Sequence, residues 1–286
     1  RFESRGLGDV YKRQSRYRGR ALSVANLGYS LGESFLPMFF VAILVWLPWR
    51  SVWLFSAIFP LIIAVAIYCA LKDERSPKSF KEDKVSFGIG GRHWSRSQVL
   101  KSSIFWFAFP GLLGLPAFGT VLFFQQVNYA ALKGWDHLSM VKAYPLFTIM
   151  AVGVSFLSGS LIDRHGATKL IGLYQIPAVF GFYVFSICET VMGFSIGLIL
   201  FAVTAGSNNI IPNAFWAECF GTSHLGRIKS LAAGIMVIGS ALGPLISGVL
   251  IDVGFNLNSQ YILFATYFIL SSALLFACTR KILVNN

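Results

Sequence analysis

The chain has 286 residues, of which 55% are hydrophobic and only 13% charged, with a formal charge of +12. A soluble domain of this length could not cover itself with so little charged surface. Composition therefore excludes the ordinary soluble classes and points to an all-α polytopic membrane protein.

Residues 1–14 stand apart. Asp9-Val10-Tyr11-Lys12-Arg13-Gln14 reads as a translated sequencing adapter fused to the open end of a gene fragment, so these residues are set aside. Eight apolar stretches follow: Ala21–Leu47, Val52–Leu71, Ile104–Val127, Tyr144–Ile162, Leu170–Cys188, Phe194–Phe215, Ser230–Ile251 and Tyr261–Cys278. A helix needs about 20 apolar residues to cross ~30 Å of hydrocarbon, and each stretch is long enough. Backbone polar groups in lipid must be paired within the segment, so helices are expected; a β-barrel would show shorter, alternating segments.

Between the second and third stretches, residues 72–103 are polar and form the expected linker, with residues 15–71 before it and 104–286 after it. Its Gly88-Ile89-Gly90-Gly91 cluster follows no strand and opens no helix, which argues against a phosphate-binding loop. Trp94 to Lys101 is expected to lie as a short helix on the membrane surface, with Trp94 as its anchor.

If the loop before Ala21 is cytoplasmic, that side holds 17 Lys and Arg against three on the other, Arg50, Lys133 and Lys142. The positive-inside rule then puts both chain ends in the cytoplasm. Charge confined to loops between spans also argues against nucleic-acid binding. Cys69, Cys188, Cys219 and Cys278 lie in or at the ends of spans, without a paired motif, and read as buried free thiols. His93, His137, His165 and His224 fall in loops without zinc spacing, so neither metal nor cofactor is expected. Pro60, Pro110, Pro116, Pro145, Pro177, Pro212 and Pro244 punctuate the spans and are expected to bend their helices.

Glu33 is the only Asp, Glu, Lys, Arg or His within the eight stretches. An acid at that depth costs several kcal/mol unless paired or protonated, which makes it a candidate for proton coupling or solute contact, or a structural acid bonded to another helix. Further polar side chains gather in two places: Gln125, Gln126 and Asn128 near the end of the third stretch, and Thr204, Asn208 and Asn209 in the sixth. The second and eighth stretches carry nothing more polar than Ser, Thr and Tyr. Glu218 and Asp252 sit at span ends, where capping or surface pairing is the ordinary role.

After the fourth stretch comes Gly159-Ser-Leu161-Ile-Asp163-Arg164-His-Gly166. It resembles the loop signature of major facilitator superfamily transporters, in which glycines permit close helix approach and a sharp turn. An Asp163–Arg164 pair would then act as a conformational latch. By that resemblance the stretches are helices five to twelve of a twelve-helix bundle. The first half would lack its beginning, about 120 residues by comparison with the second half.

An internal recurrence fits the same frame. Gly19, Arg20, Ser23, Ala25, Gly32 and Pro37 match Gly226, Arg227, Ser230, Ala232, Gly239 and Pro244, 207 residues later, pairing helix five with helix eleven. Gly28 with Gly32, and Gly239, Gly243, Pro244 and Gly248, resemble the superfamily's glycine-proline packing motif. Glu33 stands where that motif has proline.

The resemblance implies a secondary transporter of a small solute, working by alternating access with no ATP or covalent step, and possible partners are a proton and the bilayer. It implies a cavity lined by helices five, seven, eight, ten and eleven. A bacterial-type inner membrane is the expected location. A non-transporting fragment of such a carrier is the alternative. An intramembrane enzyme would need a catalytic pair that a lone acid does not supply, so the chain is not expected to be an enzyme. Oligomeric state is left open.

Overall fold

The computed structural model describes residues 46–71 and 87–284, with single helical positions at Gly32, Leu36, Phe39, Phe40, Ile43 and Leu44. Most of the expected first span, including Gly28 and Glu33, lies outside the described residues. The chain divides into two compact units, Arg1–Lys84 and Val85–Asn286.

In the first unit, α1 (Trp49–Leu71) carries Pro60 within it. Val52 is its one buried apolar side chain among the described residues. A helix apolar all round and exposed all round is built for a lipid or protein surround. Arg50 lies over the Trp49 ring at 4.4 Å, a contact suited to a membrane boundary.

Helices are the main regular elements among the described residues of the second unit. It comprises α2 (Arg96–Lys101), α3 (Ser103–Phe124), α4 (Gln126–Lys133), α5 (His137–Val141), α6 (Tyr144–His165), α7 (Ala167–Leu170), α8 (Ile176–Ile187), α9 (Val191–Asn208), α10 (Ile211–Phe220), α11 (Leu225–Asp252) and α12 (Leu257–Val284). The long helices pack in the order α11, α3, α12, α8, α9, α6, each chiefly on the next. The two at the ends of this row are less covered than their neighbours: 11% of the most apolar part of the α6 span is buried and 22% of that of α11, against 44% for α3 and α12.

Two aromatic-rich cores hold the row together. One lies at the linker end, around Phe105, Phe215, Trp216 and Phe220; the other lies at the far end, around Tyr129, Phe182, Phe194, Tyr261 and Phe268. Phe118 stacks on Phe264 at 4.2 Å, the closest of the ring contacts between α3 and α12. Offset and edge-on ring pairs of this kind add about 0.5–1.5 kcal/mol each beyond the area they bury.

Among the described residues six helices are long and apolar enough to cross a membrane, so the expected eight are not all seen. Part of the shortfall is local. The expected span Leu170–Cys188 is interrupted: α7 ends at Leu170, residues 171–175 form turns, and α8 starts with Pro177 in its first turn. Proline suits a first turn, where its missing N–H is no loss. Pro145 likewise starts α6, so neither bends a helix as expected. Pro110 and Pro116 sit inside α3 without a break in it.

The linker is partly structured. Ser95 caps α2 with a full capping box to Gln98. Trp94 is held to the bundle, with its backbone N–H donating to Phe220 O at 3.1 Å and its ring 5.4 Å from that of Phe220. The glycine cluster explains this approach. A Cβ at Gly88 would lie 2.5 Å from the Cys219 carbonyl oxygen, so only glycine lets the strand of linker lie on the end of α10.

Candidate functional site

The membrane-depth feature built most deliberately is the interruption between α9 and α10. Thr190 caps the start of α9, its hydroxyl accepting from Gly193 N–H at 3.1 Å. The helix runs to Asn208 and resumes at Ile211, with Pro212 in the first turn of α10; Asn209 and Ile210 keep right-handed helical angles, so the interruption is a proline kink within one crossing, Val191–Phe220. Proline cannot donate to the carbonyl four residues back, here Asn208, and its ring crowds that carbonyl, so the break falls where the sequence puts it.

Side chains take up carbonyls that the break disturbs. Ser155 of α6 donates to Gly206 O at 2.9 Å, and Asn213 Nδ2 donates to Asn209 O at 2.9 Å. Ser158 reaches Ser207 at 3.2 Å between the hydroxyls. Gly206 makes the α6–α9 approach possible, since a methyl there would fall on the Ala151 carbonyl oxygen. Asn208 is half-buried and Asn209 exposed, and their side-chain amides make no hydrogen bond among the described residues. Thr204, one turn earlier, is fully buried with its hydroxyl unpartnered among those residues.

The second polar group surrounds another interruption. Gln125 separates α3 from α4 with φ −90° and ψ 11° and is buried. Asn128 Nδ2 donates to Gln125 Oε1 at 2.6 Å, and the Tyr144 hydroxyl donates to Gln126 Oε1 at 2.6 Å. The two groups do not meet. The Phe201 ring lies 3.0 Å from where a Gly119 Cβ would sit, which levels α9 against α3. Gln125 stands beyond that level toward the far end and Asn208 toward the linker end, on the order of 20 Å apart at ~1.5 Å per residue.

The motif at the end of α6 is organised by a residue outside it. Gly166 takes φ 78°, a left-handed turn that favours glycine. Glu218 of α10 then receives Ala167 N–H at 2.8 Å, Thr168 N–H at 2.9 Å and the Thr168 hydroxyl at 2.9 Å. This is the capping role expected for a span-end acid, across chain rather than within its own helix. Asp163 and Arg164 are exposed and form no ion pair among the described residues. A Cβ at Gly159 would meet nothing within 4 Å.

The glycines of α11 split. A methyl at Gly239 would sit 2.9 Å from Leu113 Cδ1 and 3.1 Å from its carbonyl oxygen, and one at Gly243 would fall on the Ala117 carbonyl. A methyl at Gly248 would meet nothing within 4 Å, and Pro244 is half-buried in the helix interior. Among the described residues, a methyl at Gly32 would meet Leu36 at 3.6 Å.

Two buried amides were missed: Gln175, visible in the sequence as a lone Gln within an apolar stretch, and Gln260, at the polar start of the last one. Gln175 donates to Gly111 O at 2.6 Å and accepts from the Ser271 hydroxyl at 2.6 Å, tying three helices together. Gln260 joins α12 to α11, accepting from Ser247 at 2.6 Å. Polarity therefore does not divide lining from supporting helices as simply as expected. Cys188, Cys219 and Cys278 are buried free thiols, whereas Cys69 is exposed on α1.

At the far end, Lys133 Nζ pairs with Glu189 at 2.9 Å. Asp136 caps α5, and the Ser139 backbone N–H and hydroxyl hold its carboxyl below the usual range. Among the described residues no cluster of three or more His, Cys, Asp or Glu could hold a metal.

The family model for the Major Facilitator Superfamily matches residues 7–244, a range that begins inside the segment set aside above. The chain belongs to this superfamily. A superfamily chain with apolar helices of membrane length is an integral membrane protein. The agnestins efflux protein AgnL12 of Paecilomyces divaricatus is 30% identical over 141 residues. That match takes in 49% of this chain and 31% of the efflux protein, so the chain aligns with about a third of its relative's length.

Proposed function

We propose that this superfamily member is a secondary transporter, moving a small solute by alternating access with no covalent chemistry. The observation that carries the reading is the interrupted α9–α10 crossing, with the Asn208 and Asn209 amides unbonded beside it. The kink frees backbone and amide groups within an apolar crossing, and such groups are tolerated there only where protein or water satisfies them. In this reading the α6, α9–α10, α11 and α3–α4 segments are helices eight, ten, eleven and seven. Residues 15–71 end the first half, 72–103 form the linker, and 104–286 form the second half, with both ends in the cytoplasm. Asn208, Asn209 and Thr204 contact the solute, Gln125, Gln126 and Asn128 line its far exit, and Asp163 with Arg164 acts in the latch. Glu33 carries a coupling proton. The name of the Paecilomyces divaricatus relative supports export as the direction.

Cysteine labelling tests the central claim without knowledge of the solute. In a background with the four native cysteines replaced, Asn208→Cys and Asn209→Cys should react with a membrane-impermeant maleimide. Ile246→Cys, an exposed apolar position on α11, should not. Equal, slow labelling at all three would show that no water reaches the break, and would sink the reading.

A further inference from the structure

The linker end of the bundle holds a basic cleft that shares no residue with the site proposed above. It has a volume of about 470 Å³ and is bounded by the docked linker, the start of α3 and the end of α12. Arg92, Lys101 and Lys281 line it, with Trp94, Ser102 and Ser103, and no carboxylate of the described residues does. None of the three cations forms an ion pair among the described residues.

Its parts are arranged rather than scattered. The Arg92 guanidinium lies over the Trp94 ring at 4.3 Å, and Trp94 is itself fixed by donating its indole N–H to Ile89 O at 3.1 Å. Lys281 Nζ reaches across from α12 to donate to the Ser103 hydroxyl at 2.8 Å. The 22-residue α3 begins at Ser103, so the positive end of its dipole faces the same space. Three unpaired cations, two hydroxyls and a long helix start converge on one small volume.

The surroundings say what the anion is attached to. Trp106, one turn into α3, is 56% exposed and donates its indole N–H to Leu100 O at 2.8 Å, the posture of a ring at the membrane interface. Leu100 is also exposed beside it. A free anion has no use for that apolar flank, whereas a lipid would lay its chains along it. We propose that this cleft binds the phosphate headgroup of an anionic phospholipid, with Arg92, Lys101 and Lys281 as the phosphate contacts. Basic pockets between membrane helices are a known setting for such headgroups.

The test is lipid binding to the purified full chain, followed by native mass spectrometry with phosphatidylglycerol, phosphatidylcholine and inorganic phosphate as separate probes. Phosphatidylglycerol should be preferred over phosphatidylcholine. Lys281→Gln should weaken it about fivefold, and the triple variant Arg92→Gln/Lys101→Gln/Lys281→Gln about a hundredfold, from the usual gain per basic residue at a membrane surface. Lys142→Gln, in the loop before α6, removes a charge elsewhere and should change nothing. Ser103→Phe keeps every charge but fills the cleft, and should also lose the preference. It guards against a charge variant that merely misfolds. Equal losses for Lys281→Gln and Lys142→Gln would reduce the effect to net charge and overturn the proposal. Saturation by inorganic phosphate with no advantage for phosphatidylglycerol would overturn the lipid assignment.

Discussion

The glycines of α11 offer a measurement within a single helix. A methyl group at Gly243 has nowhere to go, because the atoms it meets are the backbone of Ala117 on α3 rather than a mobile side chain. Relief requires α11 to withdraw from α3 by about 1 Å. A gap of that size forfeits a quarter to a half of each dispersion contact along the seam. Overpacking of this kind costs about 1–3 kcal/mol. Gly248 lies five residues on in the same helix, and a methyl there meets nothing within 4 Å. Gly248→Ala should therefore gain up to about 1 kcal/mol of helix propensity without a clash. The two variants should differ by roughly 2–4 kcal/mol, or about 3–7 °C in Tm for a protein of this size. Gly239→Ala should fall between them, because Leu113 Cδ1 can turn aside while its carbonyl cannot. Heating the purified protein with a thiol-reactive dye reads this directly, since Cys188, Cys219 and Cys278 are buried and become reactive on unfolding. If Gly243→Ala melts at or above Gly248→Ala, the α3–α11 seam does not lie where it is described.

Glu218→Ala should release the Ala167 and Thr168 amides, costing about 1–2 kcal/mol as a lost cap at a largely exposed site and raising their hydrogen exchange; Glu218→Gln should be intermediate. Unchanged exchange at both amides would refute the clamp. Gln175→Leu removes an amide that joins three helices and should lower stability by about 0.6–2 kcal/mol in the thermal assay above. Glu33→Gln should leave solute exchange across proteoliposomes intact while abolishing its dependence on an imposed proton gradient. Retained dependence would remove Glu33 from coupling.

Membrane class and loop motif were legible because each rests on a run of adjacent residues. Apolar length alone marked six helices, and Gly159 to Gly166 marked the turn that Gly166 makes with its positive φ. What was not legible depends on distance in space. Gln125 and Asn208 are alike as amides in apolar stretches, yet they stand toward opposite ends of the bundle. Only the level set by Phe201 against Gly119 separates them. The partner of the loop motif is Glu218, some 50 residues on, a link set by helix packing and not by any spacing rule. Gln175 was legible in the sequence, since an amide buried within an apolar stretch must find partners.

Proline shows why the break beside Asn208 carries more weight than the others. Pro145 and Pro177 start helices, where a missing donor is harmless. Pro110 and Pro116 lie inside α3, with Tyr267 donating to Pro110 O at 2.8 Å and Thr120 to Pro116 O at 2.5 Å. Pro212 also sits in a first turn, but the helix it starts continues a crossing of 30 residues, Val191–Phe220. Gly206 fixes α9 against α6 on one side of the break, and Asn213 bridges back to Asn209 on the other. Freed carbonyls at a proline kink in lipid need such partners, and here the backbone finds them. A kink held on both sides, with two asparagine amides left unbonded between, has its polar groups positioned for something other than itself.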